Sequence, residues 1–268
     1  MSETTVMDDP AVQAAAQILV SHWQAGTRIP ALPERCRPRS RGEGYAIQRA
    51  VQALSGQALF GWKIAATSSA GQTHIGVDGP LAGRVLSNRV RQSRARLSCD
   101  ANFMRVAEPE FAFRMAHDLP PRRQPYLVPE VLEAVGSLHP AIEVPDSRYQ
   151  DFAHVGAAQL IADNACAHYF VLGEATEAHW RELDLVAHAV RAEVEGRYRR
   201  DGRGENVLGD PRAALAWLVN ELSALGETLG AGQVVTTGTC MTPLEIQPGD
   251  HVLADFGVLG HVQVVFDE

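Results

Sequence analysis

An α+β fold is what this sequence predicts, and three observations carry the prediction. Apolar or alternating runs of strand length recur from residue 59 to residue 266. These runs do not alternate regularly with helical segments, as a doubly wound parallel sheet requires. The longest helical periodicities stand together before residue 55, with one more between residues 211 and 225. The chain is accordingly divided into an N-terminal helical/α+β portion, residues 1–80, and a strand-rich domain, residues 81–268.

Taken in order, residues 1–8 read as a loose tail. Asp9-Pro10 is a helix start, an N-cap acid followed by proline at the first helical position. Residues 11–24 then carry Ile18, Leu19 and Trp23 at helical spacing. A Pro- and Arg-rich loop, residues 26–40, precedes a second helix over residues 41–54, with Tyr45, Ile47, Val51 and Leu54 for its core face. Residues 59–65 form a short apolar strand interrupted by Lys63. A lysine there is either an edge residue that snorkels or a functional group, and pattern alone leaves both open. A short helix at 68–75 leads to a turn, residues 76–80, that holds Asp78.

The next strand lies near residues 103–115. Pro109 removes one ladder donor, so this strand is expected at an edge or with a bulge. A short helix is expected at 129–135, a short strand at 141–144 with Glu143 as its one charge, a helix-like segment at 157–166 containing Asp163-Asn164, and a strand at 169–172. Residues 183–198 alternate as a half-exposed antiparallel strand, with a turn at Asp201-Gly202. Asp210-Pro211 opens a helix that buries Leu215, Leu218, Val219, Leu222 and Leu225 and ends at Gly226. Residues 234–239 form a strand running into a Gly-Thr turn, and 251–256 with 260–266 form a terminal hairpin.

The 268 residues are 46% hydrophobic, enough for a sizeable core, and the formal charge of −8 argues against nucleic acid as a partner. The Arg197, Arg199, Arg200 and Arg203 cluster reads as a solvated hairpin end. No run reaches the length of a membrane span, and no leader pattern is read in an N-terminus carrying Glu3, Asp8 and Asp9. The four cysteines form no CxxC pair, so neither a zinc knuckle nor a disulfide framework is expected, and a reducing cytoplasm is the simplest compartment. No HExxH, GxGxxG or Walker A motif is present.

The chemistry-bearing stretch is residues 104–114. Side chains alternate along a strand, so Glu108 and Glu110 share a face while Phe111, Phe113 and Met115 point into a core. Two like charges at that spacing call for a cation. With Glu143 they form an all-oxygen set that selects a hard ion, Mg²⁺ or Mn²⁺ and in principle Ca²⁺, with coordination positions left for a chelating substrate. Lys63 is the candidate to balance the excess negative charge. An exposed acidic strand face is the bland alternative for such a pair.

The ordered blocks Gly61-Trp62-Lys63-Ile64, Ile75-Gly76-Val77-Asp78, Glu108-Pro109-Glu110-Phe111-Ala112-Phe113, His139-Pro140-Ala141-Ile142-Glu143, Ala162-Asp163-Asn164 and Thr236-Thr237-Gly238-Thr239 resemble the fumarylacetoacetate hydrolase superfamily. Within it they are similar to the 2-keto-4-pentenoate hydratase and 4-oxalocrotonate decarboxylase branch. The resemblance runs from about residue 10 to the C-terminus. It implies a mixed, partly opened β-roll, a homo-oligomer, and a Mg²⁺ or Mn²⁺ site on Glu108, Glu110 and Glu143. Thr239 is followed by Cys240-Met241-Thr242-Pro243 rather than a glycine-rich turn, which favours the hydratase–decarboxylase branch over a C–C hydrolase.

The activity so implied is addition of water to 2-hydroxypenta-2,4-dienoate or a close homologue in aromatic-compound catabolism, giving a 4-hydroxy-2-oxo acid. The substrate's carboxylate and C2 oxygen chelate the metal, which stabilises enolate-like charge. Lys63 binds negative charge or relays a proton, and Asp78 holds Lys63 or a water. Thr237, Gly238 and Thr239 offer donors to the substrate. Asp163 and Asn164 either sit at the distal end of the pocket, or stabilise the helix, or hold other site residues in place from behind. A 2-oxo-diacid decarboxylase on the same scaffold is the alternative, and a non-catalytic partner subunit is the alternative from another class. A complex with a pathway aldolase or decarboxylase also fits this reading.

Overall fold

The structure, a computed structural model, describes residues 9–267; the tail expected at residues 1–8 lies outside the described residues. Helix α1 (Pro10–Ala25) starts where Asp9 accepts a hydrogen bond from the Ala11 amide at 2.8 Å, and it ends at Gly26 in the left-handed region. Helix α2 (Arg41–Ser55) is capped by Ser40, which accepts from the Glu43 amide at 3.2 Å. The two helices bury Ala15, Ala16 and Leu19 against Ala46, Ile47, Ala50 and Val51 in one apolar cluster. Leu54, expected in that face, is 42% exposed one residue from the helix end.

The chain continues through β1 (Leu59–Ala65), α3 (Ser69–His74), β2 (Leu81–Leu86), β3 (Val90–Gln92), β4 (Ala95–Leu97) and β5 (Val106–Met115). Then come α4 (Val128–Glu133), β6 (Val135–Val144), α5 (Ala157–Ala162), β7 (Tyr169–Leu172), β8 (Ala189–Val194), β9 (Tyr198–Arg203) and α6 (Pro211–Ala224). The C-terminal elements are β10 (Val234–Thr239), β11 (Leu244–Glu245), β12 (His251–Asp255) and β13 (His261–Phe266). The larger, mixed sheet has the order β2-β1-β10-β5-β6-β7-β3, with β11 also pairing β5. The smaller has the order β4-β13-β12-β8-β9. This is the expected α+β class, a mixed, curled β-roll with a second sheet. Of residues 1–80, α1 and α2 share a cluster that also takes in Tyr149 and Ala162, and β1 enters the large sheet between β2 and β10.

The aromatic face of β5 joins the two sheets. Phe111 meets Phe256, just after β12, edge-on at 5.2 Å, and Phe113 packs on Trp180 at 5.7 Å. Both phenylalanines are fully buried.

Three expectations are corrected. Strand β5 is interior, flanked by β10 and β6. Pro109 is tolerated because its carbonyl accepts from the Cys240 amide at 3.0 Å. The N and C=O of one residue share a strand edge, so the missing donor falls at the break between β10 and β11. The bulge lies in β10 instead, where Thr236 pairs Ala112 and Thr239 pairs Glu110. Next, the strand expected over 183–198 is β8 alone, and its hairpin reverses at Gly196 (φ +70°) rather than at Asp201-Gly202. Gly202 sits inside β9 because a Cβ there would lie 2.4 Å from the Cys240 carbonyl oxygen. Finally, α5 stops at Ala162 and the helix expected to run on to Cys166 gives way to a left-handed turn.

A three-carboxylate candidate metal centre

Register assembles the site across four strands. Glu108 and Glu110 share a face of β5 by the pleat. Glu143 stands directly opposite Glu108 on β6. On the other flank Thr236 pairs Ala112, and Lys63 on β1 pairs Thr236. Partners in register point to the same side, so Lys63, Thr236, Glu108, Glu110 and Glu143 converge. One carboxylate oxygen from each glutamate lies within 4.8 Å of the others.

Each carboxylate is held differently. Glu110 Oε2 accepts from the Thr236 hydroxyl at 2.5 Å and from the Gly238 amide at 2.7 Å. That amide is available because the β10 bulge turns Gly238 to φ +94°, where a Cβ would lie 2.2 Å from Thr67 Oγ1. Lys63 Nζ stands 2.9 Å from Glu143 Oε2 as an ion pair and donates to the Ala165 carbonyl at 3.0 Å. Glu110 Oε1 and Glu143 Oε1 are buried without a hydrogen-bond partner. Orphaned buried carboxylate oxygens are costly, and two of them beside a third carboxylate fit a divalent cation that takes oxygen ligands.

The electrostatics agree. Burial raises the Glu108 carboxyl, against the pull of Lys63. Burial, then Glu143 and Glu108, hold Glu110 well above the usual carboxylate range. Burial pushes Glu143 up to about 7, with Lys63 opposing and Glu108 adding to the rise. Burial would discharge Lys63, but Glu143, Glu108 and Glu110 outweigh it and keep the ammonium charged. One ammonium balances one of three carboxylates; a divalent ion balances the other two.

A cavity of about 480 Å³ opens onto this centre, with Lys63, Glu108, Gly238 and Thr239 among its lining. Ile64, Ile75, Leu81, Val106, Phe152 and Leu160 supply apolar wall, and the basic lining residues are Lys63 and His74. Helix α3 forms one side; Ala66 before it and Gly76 after it are both left-handed.

Four expected site residues lie elsewhere. Asp78 does not reach Lys63: its side chain is 92% exposed, 3.6 Å from Arg41. Thr237 is buried on the core side of the sheet, its hydroxyl donating to the Phe111 carbonyl at 3.0 Å. Asp163 is sealed in, accepting from Ser147 Oγ at 2.7 Å and the Arg148 amide at 3.0 Å and ion-paired with Arg148. Asn164 clamps the backbone of Arg84, accepting from its amide at 2.6 Å and donating to its carbonyl at 2.7 Å. Neither Asp163 nor Asn164 lines the cavity. Two residues were missed. Thr236 shares the face of Glu110, which strand alternation from Ala112 would have shown once the register was known. The Ala165 carbonyl that holds Lys63 left no side-chain signal at all.

Comparison with known proteins gives the same frame. The family model for the fumarylacetoacetate hydrolase C-terminal domain matches residues 92–266. A 2-keto-4-pentenoate hydratase of Burkholderia vietnamiensis is 29% identical over 97% of this chain and 99% of its own. A 2-hydroxyhexa-2,4-dienoate hydratase of Comamonas testosteroni is 31% identical over 81% of this chain and 82% of its own. Among solved structures, 4-oxalocrotonate decarboxylase from Pseudomonas putida G7, complexed with magnesium and adipate, superposes with a TM-score of 0.86 at 25% identity, covering 95% of this chain and 97% of that one. The matched segment takes in all three glutamates and most of both sheets, and the chain belongs to the fumarylacetoacetate hydrolase family.

Proposed function

We propose that this protein is a metal-dependent hydratase. It adds water to 2-hydroxypenta-2,4-dienoate, or a close homologue, to give a 4-hydroxy-2-oxo acid. One observation carries the reading: three clustered carboxylates, Glu108 half-buried and Glu110 and Glu143 buried, stand with one charged lysine at the head of a cavity that Glu108 and Lys63 line and whose walls are otherwise mostly apolar. Such a cavity suits a small 2-oxo acid with one polar end. The relatives named as hydratases support the same reaction class.

Glu108, Glu110 and Glu143 would hold Mg²⁺ or Mn²⁺, which when bound supplies a Lewis acid for the substrate's carboxylate and C2 oxygen. The chain's own groups do the rest. Thr236 and the Gly238 amide fix the rotamer of Glu110 so that its other oxygen faces the centre. Lys63 is charged, so it can hold negative charge on the substrate or give up a proton at its Nζ. Gly238 and Thr239 border the substrate's polar end, and the apolar wall keeps bulk water from the diene.

A decarboxylase of a 2-oxo-diacid is the second reading, favoured by the backbone likeness to 4-oxalocrotonate decarboxylase. It would need a partner for a second carboxylate, and no arginine is among the described residues lining the cavity. The intact carboxylates and Lys63 count against a non-catalytic partner subunit. Homo-oligomeric assembly and a complex with a pathway aldolase or decarboxylase are further parts of this proposal and rest on the family resemblance; a cytoplasmic location is another and rests on the cysteine pattern. No helix of the described residues is long and apolar enough to cross a membrane.

The test is to incubate purified protein with Mg²⁺ or Mn²⁺ on 2-hydroxypenta-2,4-dienoate and on 2-oxohex-3-enedioate. Loss of dienoate absorbance without CO₂ release is expected. Release of CO₂ from the diacid as the faster reaction would replace hydration by decarboxylation.

A further inference from the structure

The chain does something unusual just behind Lys63. Asn164, Ala165 and Cys166 adopt φ values of +59°, +49° and +62° in succession. Asparagine tolerates the left-handed region; alanine and cysteine do so poorly. Outside forces must therefore hold the turn. Asp163, on its N-terminal side, is locked by Ser147 and Arg148. The Asn164 side chain bonds both backbone groups of Arg84 on β2, like one more rung of the sheet. The turn approaches β2 so closely that a Cβ on Gly83 would lie 2.4 Å from the Asn164 carbonyl oxygen and 3.0 Å from the Lys63 stem. The product of this strain is one aimed group, the Ala165 carbonyl, 3.0 Å from Lys63 Nζ.

We infer that Asn164 is a positioning residue: by tying the left-handed turn to β2 it fixes the Ala165 carbonyl, and through it the place of the Lys63 ammonium beside Glu143. The inference rests on the reading of Lys63 as a group that acts on the substrate. An ammonium on a four-carbon stem has many rotamers, and Glu143 alone restrains it on one side only. With Ala165 on the other side, the ammonium is held between two acceptors, and one hydrogen is left for the cavity it lines. Asn164 itself touches no part of the cavity, so it cannot act as a substrate ligand. Both halves of its amide are needed, one to accept and one to donate.

The test uses the full-length protein with saturating Mg²⁺ and 2-hydroxypenta-2,4-dienoate. Asn164→Gly deletes both tethers while easing the left-handed backbone. Asn164→Asp keeps the acceptor for the Arg84 amide but loses the donor to its carbonyl. Each is expected to lower kcat about a hundredfold with KM changed by no more than roughly threefold, as misplacement of a reacting group does. Lys63→Met is run in parallel, and Asn164→Gly added to it should cost nothing further, because both act through one ammonium. Wild-type kcat in folded Asn164→Gly would overturn the inference, as would a raised KM at unchanged kcat, which marks substrate contact. Should Asn164→Gly not fold, the same split in Asn164→Asp decides the matter. Full activity in Lys63→Met would instead remove the reading of Lys63; a dead Lys63→Met beside a fully active Asn164→Gly would remove only the role of Asn164.

Discussion

Glu108 on β5 and Glu143 on β6 are exact cross-strand partners, with like charges on adjacent strands of one sheet. Such pairs are destabilising. Glu110 deepens the conflict, since it is fully buried on the same face. If the three carboxylates hold the proposed cation, the sheet gives up stability for it.

Glu110→Gln tests this directly. A glutamine oxygen can still accept from Thr236 and Gly238, while one of three like charges disappears. The metal-free melting temperature should be unchanged or higher. Affinity for Mg²⁺ should fall by roughly a hundredfold or more. Differential scanning calorimetry with and without Mg²⁺ checks both; a wild-type metal-induced shift would remove Glu110 from the ligand set.

The effect of metal should also depend on pH. In the metal-free fold Glu143 has a pKa pushed up to about 7 from an ordinary 4.5. A raised carboxyl pKa means that the folded state binds the proton more tightly than the unfolded one. Its contribution to stability is thus present below pH 4.5 and is lost as pH rises to about 7. Binding of a cation requires the ionised form, so the melting-temperature gain from saturating Mg²⁺ should be small near pH 5 and large at pH 8. A gain that does not vary over this range would count against carboxylate ligation.

His168 has the opposite sign. Its Nδ1 accepts from Trp23 Nε1 at 3.2 Å, which requires the neutral ring on that side. Burial, then the guanidinium groups of Arg89, Arg148 and Arg28, push its pKa down to about 2. The associated stability is fully present above pH 6.5 and is lost as pH falls from there. His168→Gln, which keeps an acceptor for Trp23, should flatten the acid side of the stability profile measured by urea unfolding. An identical acid slope in the variant would show that His168 does not carry it.

Gly238→Ala should be severe. It combines a left-handed backbone with a Cβ only 2.2 Å from Thr67 Oγ1, and it displaces the amide that anchors Glu110. A loss of about 2–3 kcal/mol and of most Mg²⁺ affinity is expected. Adding Thr67→Ala should return part of the stability by removing the clash; no recovery would place the cost in the backbone alone.

The legible parts of the site were those that period 2 decides. Glu108 and Glu110 on one face and Phe111 and Phe113 on the other follow from alternation, and helix starts at Asp9 and Asp210 follow from cap chemistry. What escaped depended on register. Thr236 rather than Thr237 faces the centre because of which β5 residue it opposes, and no local pattern encodes that. Asp163-Asn164 announced themselves as polar residues in an apolar setting, but their partners, Arg148 and Arg84, lie 15 and 80 positions away. The strand at residues 81–86 went unread because every position in it is buried, so it shows no alternation. Gly202 resembled a turn because close backbone approach and chain reversal call for the same residue.

The parallel pairing of β1 with β10 sets when this chain can become active. Lys63 comes from the first quarter of the sequence, while the strand beside it arrives near the end: Trp62 hydrogen-bonds Gln233, 171 positions further on. Contacts of that separation form late, after much loop entropy has been lost. A ribosome-bound chain that has already made its three glutamates still lacks Thr236 and the Gly238 amide to orient Glu110. On the proposed metal reading, affinity for Mg²⁺ should therefore emerge only once residues through Gly238 have been added, which metal titration of chains truncated before and after β10 checks.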